Sequence, residues 1–141
     1  MIKQIEILLF CTLLLVTSFS CTRHYGNGAL PLFEEEQINY VVSSGENELK
    51  FRSIVPELIV GGFIIDGKRI NVPYSEGKYE GHDNNGDIRI SQDWIDVMYV
   101  FENRVLTIKT TANHTGKQRE ARVDCYCSSP YVGFVTIIQT P

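Results

Sequence analysis

The stretch from Trp94 to Gln139 constrains this chain more than any other part of it. It contains three runs in which apolar and polar residues alternate. Val105 to Thr111 sets Leu106, Ile108 and Thr110 on one side. Arg119 to Cys127 sets Ala121, Val123, Cys125 and Cys127 on one side, with Arg122, Asp124 and Tyr126 opposite. The last run groups Val135, Ile137 and Gln139, while Phe134 and Ile138 make its other side apolar too. A two-residue period belongs to a half-buried strand, whereas a helix would repeat its apolar positions every three or four residues. Between the first two runs lies Asn113-His114-Thr115-Gly116-Lys117-Gln118-Arg119. Asn113 can hydrogen-bond its own backbone two residues on, Thr115 can do so more weakly, and Gly116 can take a positive φ. The planar fork of Arg119 can reach a carbonyl or carboxylate across such a corner. Asn113, Thr115, Gly116 and Arg119 are therefore expected to form a structural corner. Trp94, the single tryptophan, is expected to anchor the core or a sheet edge rather than to serve as a sugar platform.

The upstream sequence has the same character. Ile38 to Ser43 and Glu48 to Ser53 are strand candidates joined by Ser44-Gly45-Glu46-Asn47. Leu58-Ile59-Val60 and Phe63-Ile64-Ile65 flank Gly61-Gly62, which suggests a bulge inside one buried strand. Asp66-Gly67 then predicts a hairpin into Lys68-Arg69-Ile70-Asn71-Val72. Ile88 and Ile90 alternate with polar neighbours in a further strand. Past the N-terminal segment no apolar pattern has a helical period. About seven short strands in roughly 105 residues predict an all-β fold, a two-sheet antiparallel β-sandwich.

The first twenty residues stand apart from that pattern. Lys3 precedes an apolar run from Ile7 to Val16, followed by small residues ahead of Cys21. The run is far shorter than the ~20 residues a spanning helix needs, so it reads as an export signal. Thr17-Ser18-Phe19-Ser20-Cys21 resembles a bacterial lipobox, in which the cysteine thiol carries diacylglycerol. The expected division is a lipoprotein signal peptide over 1–20, a lipidated tether over 21–33 and the sandwich over 34–141. The membrane is then a partner through the lipid on Cys21, and the protein belongs to the cell envelope, at the outer membrane. Cys125 and Cys127 remain as two small buried hydrophobes, since residues two apart on a strand stand too far apart for a disulfide.

Composition narrows the partners. Of 141 residues 43% are hydrophobic and 21% charged, with a net charge of −4. Nothing resembles the basic patch that nucleic acid requires. No Ser-His-Asp order, GxSxG or HExxH occurs, and the three histidines are scattered, so neither an enzyme nor a cofactor is expected. His24, His82 and His114 read as solvated tether, loop and turn-tip residues. Residues 74–87 form the longest irregular stretch, polar and turn-forming. Its Asp83-Asn84-Asn85-Gly86-Asp87 cluster fails the EF-hand template, with the glycine too early and Trp94 where a glutamate is needed, so no metal site is expected.

The order of motifs over residues 94–139 resembles the BACON domain (Bacteroidetes-associated, carbohydrate-binding, often N-terminal). The shared features are Trp94-Ile95-Asp96-Val97, Leu106-Thr107-Ile108, the Asn113, Thr115, Gly116, Arg119 and Ala121 pattern, and the closing Thr136-Ile137-Ile138-Gln139. The resemblance implies an Ig-like sandwich. It further implies a non-catalytic module that binds carbohydrate or mucin, or that spaces a partner from the membrane. On that reading Asn113-His114-Thr115 serves as turn chemistry rather than as a glycosylation sequon. Sugar faces would be met by exposed aromatic rings, with Tyr74 and Tyr79 in the long loop and Tyr126 and Tyr131 toward the other end as candidates. The alternative is an accessory subunit that binds another envelope protein through a sheet edge or face.

Overall fold

Alternation in the sequence becomes alternation in burial along most strands of the computed structural model, which describes residues 30–35, 39–127 and 131–141. Twelve strand segments follow one another: β1 (Leu30–Pro31), β2 (Asn39–Val42), β3 (Asn47–Arg52), β4 (Ile59–Ile65), β5 (Lys68–Asn71), β6 (Tyr74–Ser75), β7 (Lys78–Tyr79), β8 (Ile88–Gln92), β9 (Ile95–Val100), β10 (Val105–Thr110), β11 (Arg119–Tyr126) and β12 (Tyr131–Gln139). The fold is all-β, with no helix among the described residues. One sheet runs β5–β4–β11–β12 with β1 and β2 beside β12, a second runs β3–β10–β9–β8, and β6 and β7 form a separate hairpin.

The two larger sheets share one hydrophobic core and so stack in a sandwich-like arrangement. Phe63, Val60, Val123, Val135 and Ile137 enter it from the first sheet. Phe51, Leu106, Ile108, Val97, Tyr99 and Ile88 enter it from the second. Trp94 is 4% exposed and belongs to this core.

Sequence alternation counts about seven strands, and several of the extra segments are too short to show a period. β9 is the instructive addition, giving Trp94–Gln139 four strands instead of three. Ile95, Val97 and Tyr99 point inward, but Met98 and Val100 make the outward side apolar too and hide the alternation. The antiparallel expectation also has two exceptions, since β1 and β2 both run parallel to β12.

Residues 30–33, expected to belong to a tether over 21–33, are built into the sandwich instead. Leu30 and Pro31 pair with Tyr131 and Val132, and Leu32 and Phe33 are 0% and 3% exposed. Gly133 makes room for them, because a Cβ there would lie 2.9 Å from Leu32 Cβ. Buried leucine and phenylalanine make residues 30–33 part of the sandwich. The signal segment, Cys21 and residues 21–29 lie outside the described residues.

Gly61 and Gly62 form the bulge that their sequence predicts. Asp124 pairs with Gly62 while the next residue, Cys125, pairs with Val60, leaving Gly61 as the extra residue. The β4–β5 hairpin turns through Asp66 and Gly67 with φ of 47° and 81°, as a type I′ turn requires.

Candidate functional site

Residues 74–87, irregular by sequence, contain an ordered hairpin. Glu76 and Gly77 have φ of 51° and 80°, the pattern of a type I′ turn. Glu-Gly is a weaker turn signal than Asn-Gly, and strands of two residues carry no period, which explains why composition alone suggests a loop. The turn places Tyr74 directly across from Tyr79, with ring centroids 4.8 Å apart at 62°.

Tyr126 joins them from the sheet. Its hydroxyl donates to the Tyr79 hydroxyl, and the two rings stand 6.1 Å apart at 83°. Sequence distance sets Tyr126 at the other end from Tyr74 and Tyr79, and the structure corrects this. The bulge supplies the means, since Gly61 lacks the Cβ that would collide with the Tyr126 ring. Burial, then the hydrogen bond to Tyr79, pushes the Tyr126 phenol up to about 12, so this hydroxyl keeps its proton. Tyr74 is 61% exposed, while Tyr79 and Tyr126 are half-buried beneath and beside it. Tyr131 does not join this cluster. It lies one residue from Val132, the outward partner of Tyr126, so it faces inward and packs against the core.

Two short contacts hold the hairpin to the sheets. Gly81 carbonyl accepts from Arg89 N–H at 2.8 Å, and His82 Nε2 accepts from Val60 N–H at 3.2 Å. His82 Nδ1 donates to Glu80 carbonyl at 3.1 Å, and the ring sits 5.7 Å from Tyr79. His82 is thus a clamp between the hairpin and β4 rather than the solvated loop residue its polar surroundings suggest. Burial holds its imidazole below the ordinary value of 6.5, with the Glu80 carbonyl opposing. A histidine that stays neutral when folded contributes nothing to the pH dependence above the unfolded value. As pH falls through about 6.5 the unfolded chain takes up the proton first, so stability declines until the folded group also protonates. Between pH 7.5 and pH 5 a thermal-melting series should therefore show a smaller fall for His82→Gln than for the wild type.

The Asn113 corner is a densely bonded joint. Asn113 Nδ2 donates to Lys117 and Thr140 carbonyls at 2.8 Å each, and its Oδ1 accepts from Thr115 N–H and Thr115 Oγ1 at 3.1 and 2.7 Å. With both amide hydrogens engaged and the residue 6% exposed, the folded sequon offers no free nitrogen. Gly116 has φ of 70°. Arg119 lies over the Trp94 ring, 4.4 Å from its centroid, and donates to Gln139 Oε1 at 2.8 Å and Thr111 carbonyl at 2.7 Å. Gln139, fully buried, donates onward to Gly45 and Thr111 carbonyls. These residues join three chain segments; Asn113 and Gln139 are buried, while Thr115 and Gly116 are exposed at the turn.

Elsewhere, Asp83 Oδ1 accepts from Asn85 and Asp87 N–H groups, which makes that cluster a tight turn. Among the described residues no group of acidic, His or Cys side chains could hold a metal ion. Cys125 and Cys127 are free and buried, and burial drives the Cys125 thiol far above its usual range. The outer face of the four-stranded sheet has two adjoining grooves, of about 320 and 350 Å³, on either side of Met98, Thr107 and Lys109. No aromatic ring lines either groove. The tyrosine cluster is therefore the stronger candidate for sugar stacking.

No family model matches the chain, and no curated protein matches it. Among solved structures it is similar to a Bacteroides ovatus GH5 xyloglucanase in complex with a XXXG heptasaccharide, at 13% identity and a TM-score of 0.40. That likeness covers 77% of this chain and 18% of the length of the other.

Proposed function

We propose that this chain is a non-catalytic, lipid-anchored module of the cell envelope that binds carbohydrate through Tyr74, Tyr79 and Tyr126. The convergence of these three rings, distant in sequence, carries the reading. Tyr74 offers an exposed face, and the Tyr79–Tyr126 pair beneath it makes the platform rigid, which lowers the ordering cost of binding. A BACON-like, Ig-like identity is supported by the strand order: β3, β10 and β9 lie against β4, β11 and β12, the B-E-D and C-F-G arrangement of such sandwiches.

On a panel of immobilised glycans, Tyr74→Ala is expected to weaken binding at least about tenfold while leaving the strand signal in circular dichroism unchanged. Undiminished binding by the Tyr74→Ala, Tyr79→Ala double variant would remove the cluster from the site. The anchor is tested separately. The full chain should partition into detergent and Cys21→Ala should not; wild-type protein found wholly in the aqueous phase would rule the lipid out.

One observation favours the accessory-subunit alternative. Val41 in β2 is 70% exposed, and Leu30 and Val132 toward the opposite end of the same sheet edge are 44% and 42% exposed. In-cell crosslinking that joins this edge to an envelope protein would favour that reading over sugar binding.

A further inference from the structure

The outward row of β11 reads Arg122, Asp124, Tyr126, three side chains at two-residue spacing on one sheet face. Tyr126 belongs to the aromatic cluster, while the other two belong to a charged group beside it. Arg122 Nε donates to Asp124 Oδ1 at 2.5 Å, and its guanidinium lies over the Phe134 ring, 4.0 Å from the centroid. From β5, Arg69 places Nη1 3.5 Å from Asp124 Oδ2 and donates from Nε to Asn71 Oδ1 at 3.2 Å. The strand between, β4, carries Gly62 opposite Asp124, so no side chain stands there. Among the described residues, both terminal nitrogens of Arg122 and Nη2 of Arg69 have no hydrogen-bond partner.

We infer that Arg69 and Arg122 form the anion-reading half of the same sugar site, and that its ligand is an acidic glycan bearing a carboxylate or sulfate. The inference rests on the reading of the tyrosine cluster as a sugar platform. One carboxylate serves two guanidiniums, leaving one positive charge uncompensated. Both Asp124 oxygens face arginines, so the carboxylate is engaged as a strut rather than as an acceptor for sugar hydroxyls. A guanidinium presents its donors as a planar fork that matches an oxyanion, which a neutral hydroxyl cannot exploit. Phe134 and Asp124 hold the Arg122 fork in place before a ligand arrives, unlike a mobile surface lysine. Arg122 and Tyr126 lie four residues apart on one strand, about 13 Å. An oligosaccharide can therefore rest a ring on the tyrosines while a neighbouring unit carries the anion.

The test is affinity electrophoresis of the full chain against polygalacturonate, dextran sulfate and neutral dextran, with polyglutamate and anionic phospholipid vesicles as further probes. At least one acidic polysaccharide should bind roughly tenfold tighter than neutral dextran, and Arg69→Gln and Arg122→Gln should each remove roughly that factor. Arg122→Lys, which keeps the charge without the fork, should recover only part of it. Arg69 is largely exposed, so Arg69→Gln retains the fold and stands as the decisive variant if Arg122→Gln melts early. Equal binding of acidic and neutral polymers, lost in Tyr74→Ala and untouched by both arginine variants, overturns the inference and leaves the sugar reading intact. Absence of binding to any polysaccharide overturns both. Arginine-dependent capture of polyglutamate or vesicles that ignores Tyr74→Ala overturns the inference in favour of a general anion surface.

Discussion

Asn113→Ala should lower stability by about 2–3 kcal/mol. The single amide side chain ties together the turn that contains it and the end of β12. Alanine would strand the Thr140 carbonyl and the Thr115 N–H, whose bonds to Asn113 are partly buried, and would leave the Lys117 carbonyl only its bond from Thr115 Oγ1. An unmade hydrogen bond at such a place costs about 1–3 kcal/mol, with the smaller figure for groups that water can still reach. For a domain of this size the loss corresponds to a melting midpoint lower by roughly 8–13 °C. Asn113→Asp keeps the acceptor for Thr115 but sets a buried carboxylate oxygen against the Lys117 and Thr140 carbonyls, so it should be at least as destabilising as alanine. A change under about 3 °C for Asn113→Ala would show that the joint is not what holds these segments together.

Gly81→Ala should release the tyrosine hairpin while leaving both sheets folded. Gly81 has φ of 77°, where an L side chain costs about 1–3 kcal/mol. The added Cβ would also lie 2.5 Å from Arg89 carbonyl oxygen and 2.5 Å from Ile90 Cγ1, and a backbone atom cannot swing aside as a side-chain tip can. The strain is relieved by opening the Arg89–Gly81 hydrogen bond, and with it the neighbouring His82–Val60 contact. Amide hydrogen exchange at Arg89 and Val60 should therefore accelerate by about one to two orders of magnitude, ahead of the core strands. Gly77→Ala is the matched control, since Gly77 has a similar φ of 80° but nothing within 4 Å of a new Cβ. It should show the conformational cost alone and keep His82 in place. Unchanged exchange at both amides in Gly81→Ala would mean that the hairpin is anchored by other contacts. If the hairpin does open, sugar binding should fall with it, which links this local stability to the proposed function.

Legibility in the sequence followed the length of each periodic run. β10 and β11 could be read directly, because six and eight residues display a two-residue period and their inward faces are apolar. The β4–β5 hairpin and the Gly61 bulge could be read from dipeptides with few structural alternatives. β9 could not, since apolar residues on both faces cancel the period, although Ile95, Val97 and Tyr99 were available as a signal. Leu32 and Phe33 resembled a linker because Pro31 and nearby glycines dominate the local composition, and only pairing beside β12 draws them into the core.

The candidate site shows a sharper division. Local chemistry was enough to specify the turn at the corner, because Thr115, Gly116 and the Asn113 bonds to Thr115 and Lys117 act within a few residues, whereas the Asn113 bond to Thr140 is long-range. The alternation of β11 was enough to put Arg122, Asp124 and Tyr126 on one face, since side chains two apart on a strand must share it. Neither property says which strands lie alongside. The meeting of Tyr126 with Tyr79, the second arginine beside Asp124 and the clamp made by His82 each depend on sheet order. Sheet order is set by how the whole apolar surface is buried at once, so those long-range contacts exist only in the folded chain.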